Sequence, residues 1–147
     1  MEDNVRFCQG DYFAIPVKDG RFAVAQILWL GTDGIGKKFR NIFAFAVKSV
    51  SNDFRVYEGK EYLRFKDYNG EFSVIFTSVE SLVSGDWPRL QSGTISDEKY
   101  KALEFNMAGT LYRKGFPVRA LDISGYKDHL LMGVSGYALV DNYLQQH

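Results

Sequence analysis

Apolar residues in the first half of the chain come in short runs broken by turn residues, the pattern of consecutive antiparallel strands. Tyr12-Phe13-Ala14-Ile15-Pro16-Val17 is the first run, and Lys18-Asp19-Gly20-Arg21 follows it. Asp-Gly between two β-prone runs signals a hairpin, because Gly20 can take positive φ. The partner strand is predicted from Phe22 to Leu30, with Phe22, Val24, Gln26, Leu28 and Leu30 on one face and Ala23, Ala25, Ile27 and Trp29 on the other. Neither face is clearly polar, so both are expected to be covered. Pro16 cannot donate to a ladder, which predicts a bend or an edge there. Ile42 to Val50 reads as a third strand of the same two-sided kind, ended by Ser51-Asn52-Asp53. A shorter strand near Tyr62-Leu63-Arg64-Phe65 and another at Phe72 to Thr77 flank Asp67-Tyr68-Asn69-Gly70, a second hairpin signal.

Beyond Thr77 the pattern changes. Ser78 is placed to cap a short helical turn over Val79 to Val83, ended by Gly85. Ser96, followed by Asp97 and Glu98, predicts a second helix to about Glu104. A further strand pair, Thr110 to Arg113 and Phe116 to Leu121, is divided by Lys114-Gly115. A C-terminal helix is predicted from about Gly136 to Gln146, capped by Ser135, with Tyr137, Val140 and Leu144 on one stripe. The expected fold is therefore α+β: one domain over residues 1–147, with a mainly antiparallel, curled and barrel-like sheet and a few short helices.

Composition narrows the function classes. Eighteen basic and 18 acidic residues cancel, which removes the long-range field that a dedicated binder of nucleic acid or anionic membrane carries. The opening residues Met1 to Cys8 include Glu2 and Asp3 where a signal peptide has bases, and the longest apolar run is too short for a bilayer. Neither nucleic acid nor a membrane is expected as a partner, and the expected location is cytoplasmic. The single cysteine, Cys8, agrees with a reducing compartment. Charge is nevertheless uneven. Lys37, Lys38, Arg40, Lys48, Arg55, Lys60, Arg64 and Lys66 outnumber Asp53, Glu58 and Glu61 between positions 37 and 66, and acids dominate from Asp67 to Glu104. Either the two segments neutralise each other in the fold, which is the favoured reading, or one sign is displayed to a charged partner.

Candidate chemistry is sparse. Gly31-Thr32-Asp33-Gly34-Ile35-Gly36-Lys37-Lys38 has the glycine and lysine spacing of a phosphate loop, but Lys38 stands where a Ser or Thr would hold magnesium. The next regular element reads as a strand and not a helix, so a glycine-rich connection is favoured over a nucleotide site. His129, His147 and Cys8 are the whole stock of imidazole and thiol, short of the three or four ligands of a zinc site. Cys8 or Ser124 or Ser135 with His129 are the only nucleophile pairs to name, and none sits in a catalytic motif. No catalytic residue, metal or cofactor is predicted. Cys8 is expected to be a small, partly buried side chain. Trp87, in the turn-like Gly85-Asp86-Trp87-Pro88, either plugs the core beneath a loop, the favoured reading, or anchors a binding surface.

The run Gly10-Asp11-Tyr12-Phe13-Ala14-Ile15-Pro16-Val17-Lys18-Asp19-Gly20-Arg21-Phe22-Ala23 resembles the opening of the immunity protein 26 family of bacterial polymorphic toxin systems. The resemblance covers about the first thirty residues and is architectural afterwards. It implies a cytoplasmic antitoxin that binds a cognate toxin domain and blocks it by occlusion, without catalysis. It carries no functional residue beyond the hairpin, where Asp11 and Arg21 are expected as cross-hairpin partners. The partner-binding candidates are Lys37, Lys38, Arg40, Arg55 and Trp87. The alternative is a small-ligand or nucleotide-binding domain using the Gly31–Lys38 loop.

Overall fold

A computed structural model describes residues 7–33 and 38–147. The first hairpin forms as its turn chemistry dictates. Strands β1 (Tyr12–Pro16) and β2 (Phe22–Leu30) pair antiparallel, Gly20 takes φ +93°, and the Val17 amide donates to the Arg21 carbonyl at 2.9 Å. Next come β3 (Ile42–Ser51), a small hairpin of β4 (Phe65–Asp67) and β5 (Gly70–Phe72), then β6 (Ile75–Ser78), α1 (Glu80–Ser84) and β7 (Arg89–Gln91). The chain continues with α2 (Glu98–Ala102), β8 (Glu104–Met107), β9 (Thr110–Arg113), β10 (Phe116–Ala120) and α3 (Tyr137–Leu144).

The main sheet runs β6-β3-β2-β1-β7, all antiparallel, beside a three-stranded sheet β10-β9-β8 and the β4–β5 pair. The fold is the α+β class expected. The main sheet stays open, with β6 and β7 at its two edges, so its curl stops short of a barrel.

Both faces of the main sheet are buried, as the two-sided apolar runs require. One face packs Phe13, Phe43 and Phe45 against Leu82 and Trp87 and against Val140 and Leu144 of α3. The other packs Leu28, Trp29 and Phe76 against Phe39, Phe105 and Tyr112. Strict alternation along β2 fails at one point. Ile27 pairs with Phe45 and Trp29 with Ala44, leaving Leu28 as an extra residue in a β-bulge. Trp29 therefore shares a face with Leu28, and Leu30 returns to the face of Ile27. A second bulge lies across the same ladder. Val24 pairs with Ser49 and Ala25 with Val47, so Lys48 is the extra residue in β3.

Other departures have local causes. The strand expected over Tyr62–Phe65 starts only at Phe65, and the one expected over Phe72–Thr77 divides around Ser73 and Val74. Asp97 caps α2, not Ser96: its side chain accepts the Lys99 amide at 2.9 Å. That helix ends at Ala102, and Glu104 opens β8, an element without a turn signal of its own. Ser78 accepts the Glu80 amide at 3.2 Å, although Val79 occupies the cap position. Ser135 does not cap α3, whose cap residue is Gly136. Its carbonyl accepts the Thr77 hydroxyl at 2.6 Å and its amide donates to Phe76, tying the helix entry to β6. No helix among the described residues is long and apolar enough to cross a membrane.

Candidate functional site

The positions singled out by charge do not form one surface. Lys37 lies outside the described residues. Lys38 donates to the Tyr112 hydroxyl at 2.9 Å, and Arg40 is exposed beside it in sequence, at the entry to β3. Arg55 follows the other end of that strand. Ten strand residues separate the two groups, a span of about 30 Å. Lys48, between them, is buried. Among the described residues no ion pair joins the basic segment to the acidic one; the pairs are Asp19–Arg21, Asp11–Arg89 and Glu104–Arg113. Asp11 and Arg21 are thus not partners across the hairpin, because Arg21 folds back onto Asp19 within the turn. The Arg21 guanidinium holds the Asp19 carboxyl below its ordinary range.

Trp87 is a core plug and not a surface anchor. It is 6% exposed, stacks on Phe13 at 5.9 Å and meets Phe43, Phe45 and Tyr137 edge-on. Cys8 is exposed, against the expectation of partial burial. No hydrogen bond among the described residues links His129 to Cys8, Ser124 or Ser135. Among the described residues no three His, Cys, Asp or Glu side chains are grouped to hold a metal ion.

Polar groups instead converge beneath the loop between β3 and β4. This loop leaves β3 through an Asx turn in which Asp53 accepts the Arg55 amide at 3.1 Å. It then displays Phe54, 47% exposed and packed on Phe22 at 4.3 Å, and Tyr57, 39% exposed. The Arg55 guanidinium and the Lys60 ammonium both lie over the Tyr57 ring, at 5.7 and 5.6 Å. Such cation–aromatic stacking fixes long side chains that would otherwise be mobile.

The loop is braced from below by Lys48. The β-bulge turns this side chain out of the ladder pattern, and although only 7% exposed it donates to the carbonyls of Glu58 at 3.1 Å and Lys60 at 2.5 Å. Its ammonium also sits 4.5 Å from the centre of the Tyr62 ring. Burial pushes its pKa down, and the Glu58 carboxylate opposes that shift. Gln26, 1% exposed, shares the site. Its amide donates to the carbonyls of Gly10 at 2.9 Å and Thr94 at 3.3 Å and accepts the Tyr62 hydroxyl at 2.6 Å. Tyr62 meets Tyr100 edge-on at 4.9 Å. Burial, with Tyr12, Tyr100 and Asp97 nearby, pushes the Tyr62 hydroxyl well above its ordinary pKa.

Together these groups line an open cleft of about 360 Å³ between the loop and the residues leading into α2. The C-terminus is tied to the start of β4, where Gln146 exchanges two hydrogen bonds with the Lys66 backbone and His147 lies 2.6 Å from the Arg64 carbonyl. Lys48, Gln26 and Tyr62 were not singled out by sequence reasoning. A signal for two of them existed, since Gln26 and Lys48 are polar interruptions of two neighbouring apolar strands. Neither family models, nor curated proteins, nor solved structures match the chain.

Proposed function

We propose that this chain is an immunity-type protein that acts in the bacterial cytoplasm, binding a cognate toxin domain and neutralising it by occlusion without catalysis. The observation that carries the reading is the β3–β4 loop. It presents Phe54, Arg55, Tyr57 and Lys60 together on a support braced by a buried lysine. Interfaces draw most of their affinity from a few aromatic and arginine anchors, and anchors held in place before binding lose less entropy on association. The resemblance of Gly10 to Ala23 to the opening of immunity protein 26 supplies the class of partner.

Co-expression with the product of the neighbouring toxin gene tests this reading. The expected result is a stable complex and rescued growth; neither complex nor rescue would overturn it. The nucleotide reading of Gly31–Lys38 has less support. Gly34 to Lys37 lie outside the described residues; among those described, Gly31–Asp33 is a short 3-10 turn and the chain enters β3 through a turn at 38–41, not from a helix whose N-terminus could face a phosphate.

A further inference from the structure

The cleft under the β3–β4 loop has features that toxin binding by the outer face of the loop does not require. Two polar side chains, Lys48 and Gln26, are buried on adjacent central strands, where apolar residues would be cheaper. Both are held in fixed positions by backbone carbonyls and Tyr62. A concave site with convergent, pre-organised polar groups has the character of a ligand site, and its volume lies near the lower end of the range for small molecules, about 300–1,000 Å³.

The charges on its wall decide the ligand class. Lys48, Lys60 and Arg64 face the cleft together with Glu58, Glu61 and Asp97. Three cations and three carboxylates leave the wall without net charge, so for a simple anion or a simple cation attraction and repulsion offset. A molecule with both signs satisfies both sets. We propose that the cleft binds a small zwitterion of the α-amino-acid class, its carboxylate toward Lys48 and Arg64 and its ammonium toward the acidic side chains. The cleft shares Lys60 with the outer anchor, but Phe54, Arg55 and Tyr57 are not among the residues that line it.

The test is isothermal titration of the full chain with the free proteinogenic L-amino acids, with acetate and methylamine as single-charge controls. At least one amino acid is expected to bind with Kd below about 1 mM, and both controls about tenfold more weakly or not at all. Glu61→Gln and Arg64→Gln remove one charge of each sign at exposed side chains outside the ion pairs above. Each should weaken binding about tenfold while leaving the unfolding midpoint unchanged. No binding by any amino acid, equal binding of acetate or methylamine, or undiminished affinity in either variant would overturn the proposal.

Discussion

Gln26 shows how much a single buried polar side chain can organise. Its amide joins three separated parts of the chain: the Gly10 carbonyl, the Thr94 carbonyl and the Tyr62 hydroxyl. Gln26→Leu keeps similar bulk at this buried position but strips these groups of their partner. Each unsatisfied buried group costs about 1–3 kcal/mol. Of the three partners only Gly10 is buried, Tyr62 being half-buried and Thr94 exposed, so about one group is left unsatisfied and the variant should unfold at lower urea, with a loss on the order of 2 kcal/mol; an unchanged midpoint would show that the Gly10 carbonyl finds another partner. Tyr62 gives the same cluster a pH signature. Its hydroxyl pKa is raised in the fold, as are those of Tyr12 and Tyr143, each chiefly by burial. Above the ordinary tyrosine value of 10.0 the unfolded chain loses these protons while the native chain keeps them. The native state then binds more protons, and stability falls as pH rises. Lys48, lowered by burial, works in the opposite sense: its charged form disfavours the fold, and that penalty is relieved as pH rises toward 10.5. With three raised tyrosines against one lowered lysine, stability should decline above pH 10. Tyr62→Phe should flatten that decline, measurable by denaturant titration at successive pH values.

At the scale of elements, the connection from β2 to β3 gives the first glycine of the phosphate-loop pattern a packing role. A Cβ at Gly31 would lie 1.7 Å from the Phe39 carbonyl oxygen and 2.7 Å from that of Ile42, so glycine is required for the backbone to return on itself. Gly31→Ala should destabilise the chain by about 1–3 kcal/mol through forced backbone movement, read as a lower thermal midpoint. A neutral Gly31→Ala would remove this packing role. The elements that could be read in the sequence were those with local signals. The runs from Tyr12, Phe22 and Ile42 and the turn at Asp19-Gly20 all specify their own structure. What could not be read depends on tertiary contacts. β7 is a short strand defined by a neighbour distant in sequence, β1, and β8, though it forms a hairpin with β9 through Ala108 and Gly109, is also held by the distant chain at Leu130 to Met132. The bulges at Leu28 and Lys48 come from pairing two strands whose faces are both buried, and periodicity alone cannot locate an inserted residue. The cleft was hidden for the same reason. Gln26, Lys48, Tyr62 and Tyr100 lie on four different segments, and only the fold brings them together.

For the whole molecule, the uneven distribution of charge along the chain turns out to be distributed in space as well. The basic stretch does not build a positive face, because β3 carries Arg40 and Arg55 to opposite ends of the main sheet and buries Lys48 between them. Association driven by a broad electrostatic field is therefore not the mode of binding this shape favours. A localised anchor is, and the β3–β4 loop has the required parts: an aromatic pair, a stacked guanidinium and a rigid base. Tyr57→Ala and Arg55→Ala should each weaken the proposed toxin complex by about 2 kcal/mol or more. Both side chains are exposed, so folding stability should shift by less than about 0.5 kcal/mol. Arg40→Ala, at the far end of the sheet, should leave affinity unchanged. Surface plasmon resonance on the purified complex measures all three. If Arg40→Ala weakened binding as much as Tyr57→Ala, the partner would have to span both ends of β3, about 30 Å apart. The loop would then be one contact among several and not the anchor.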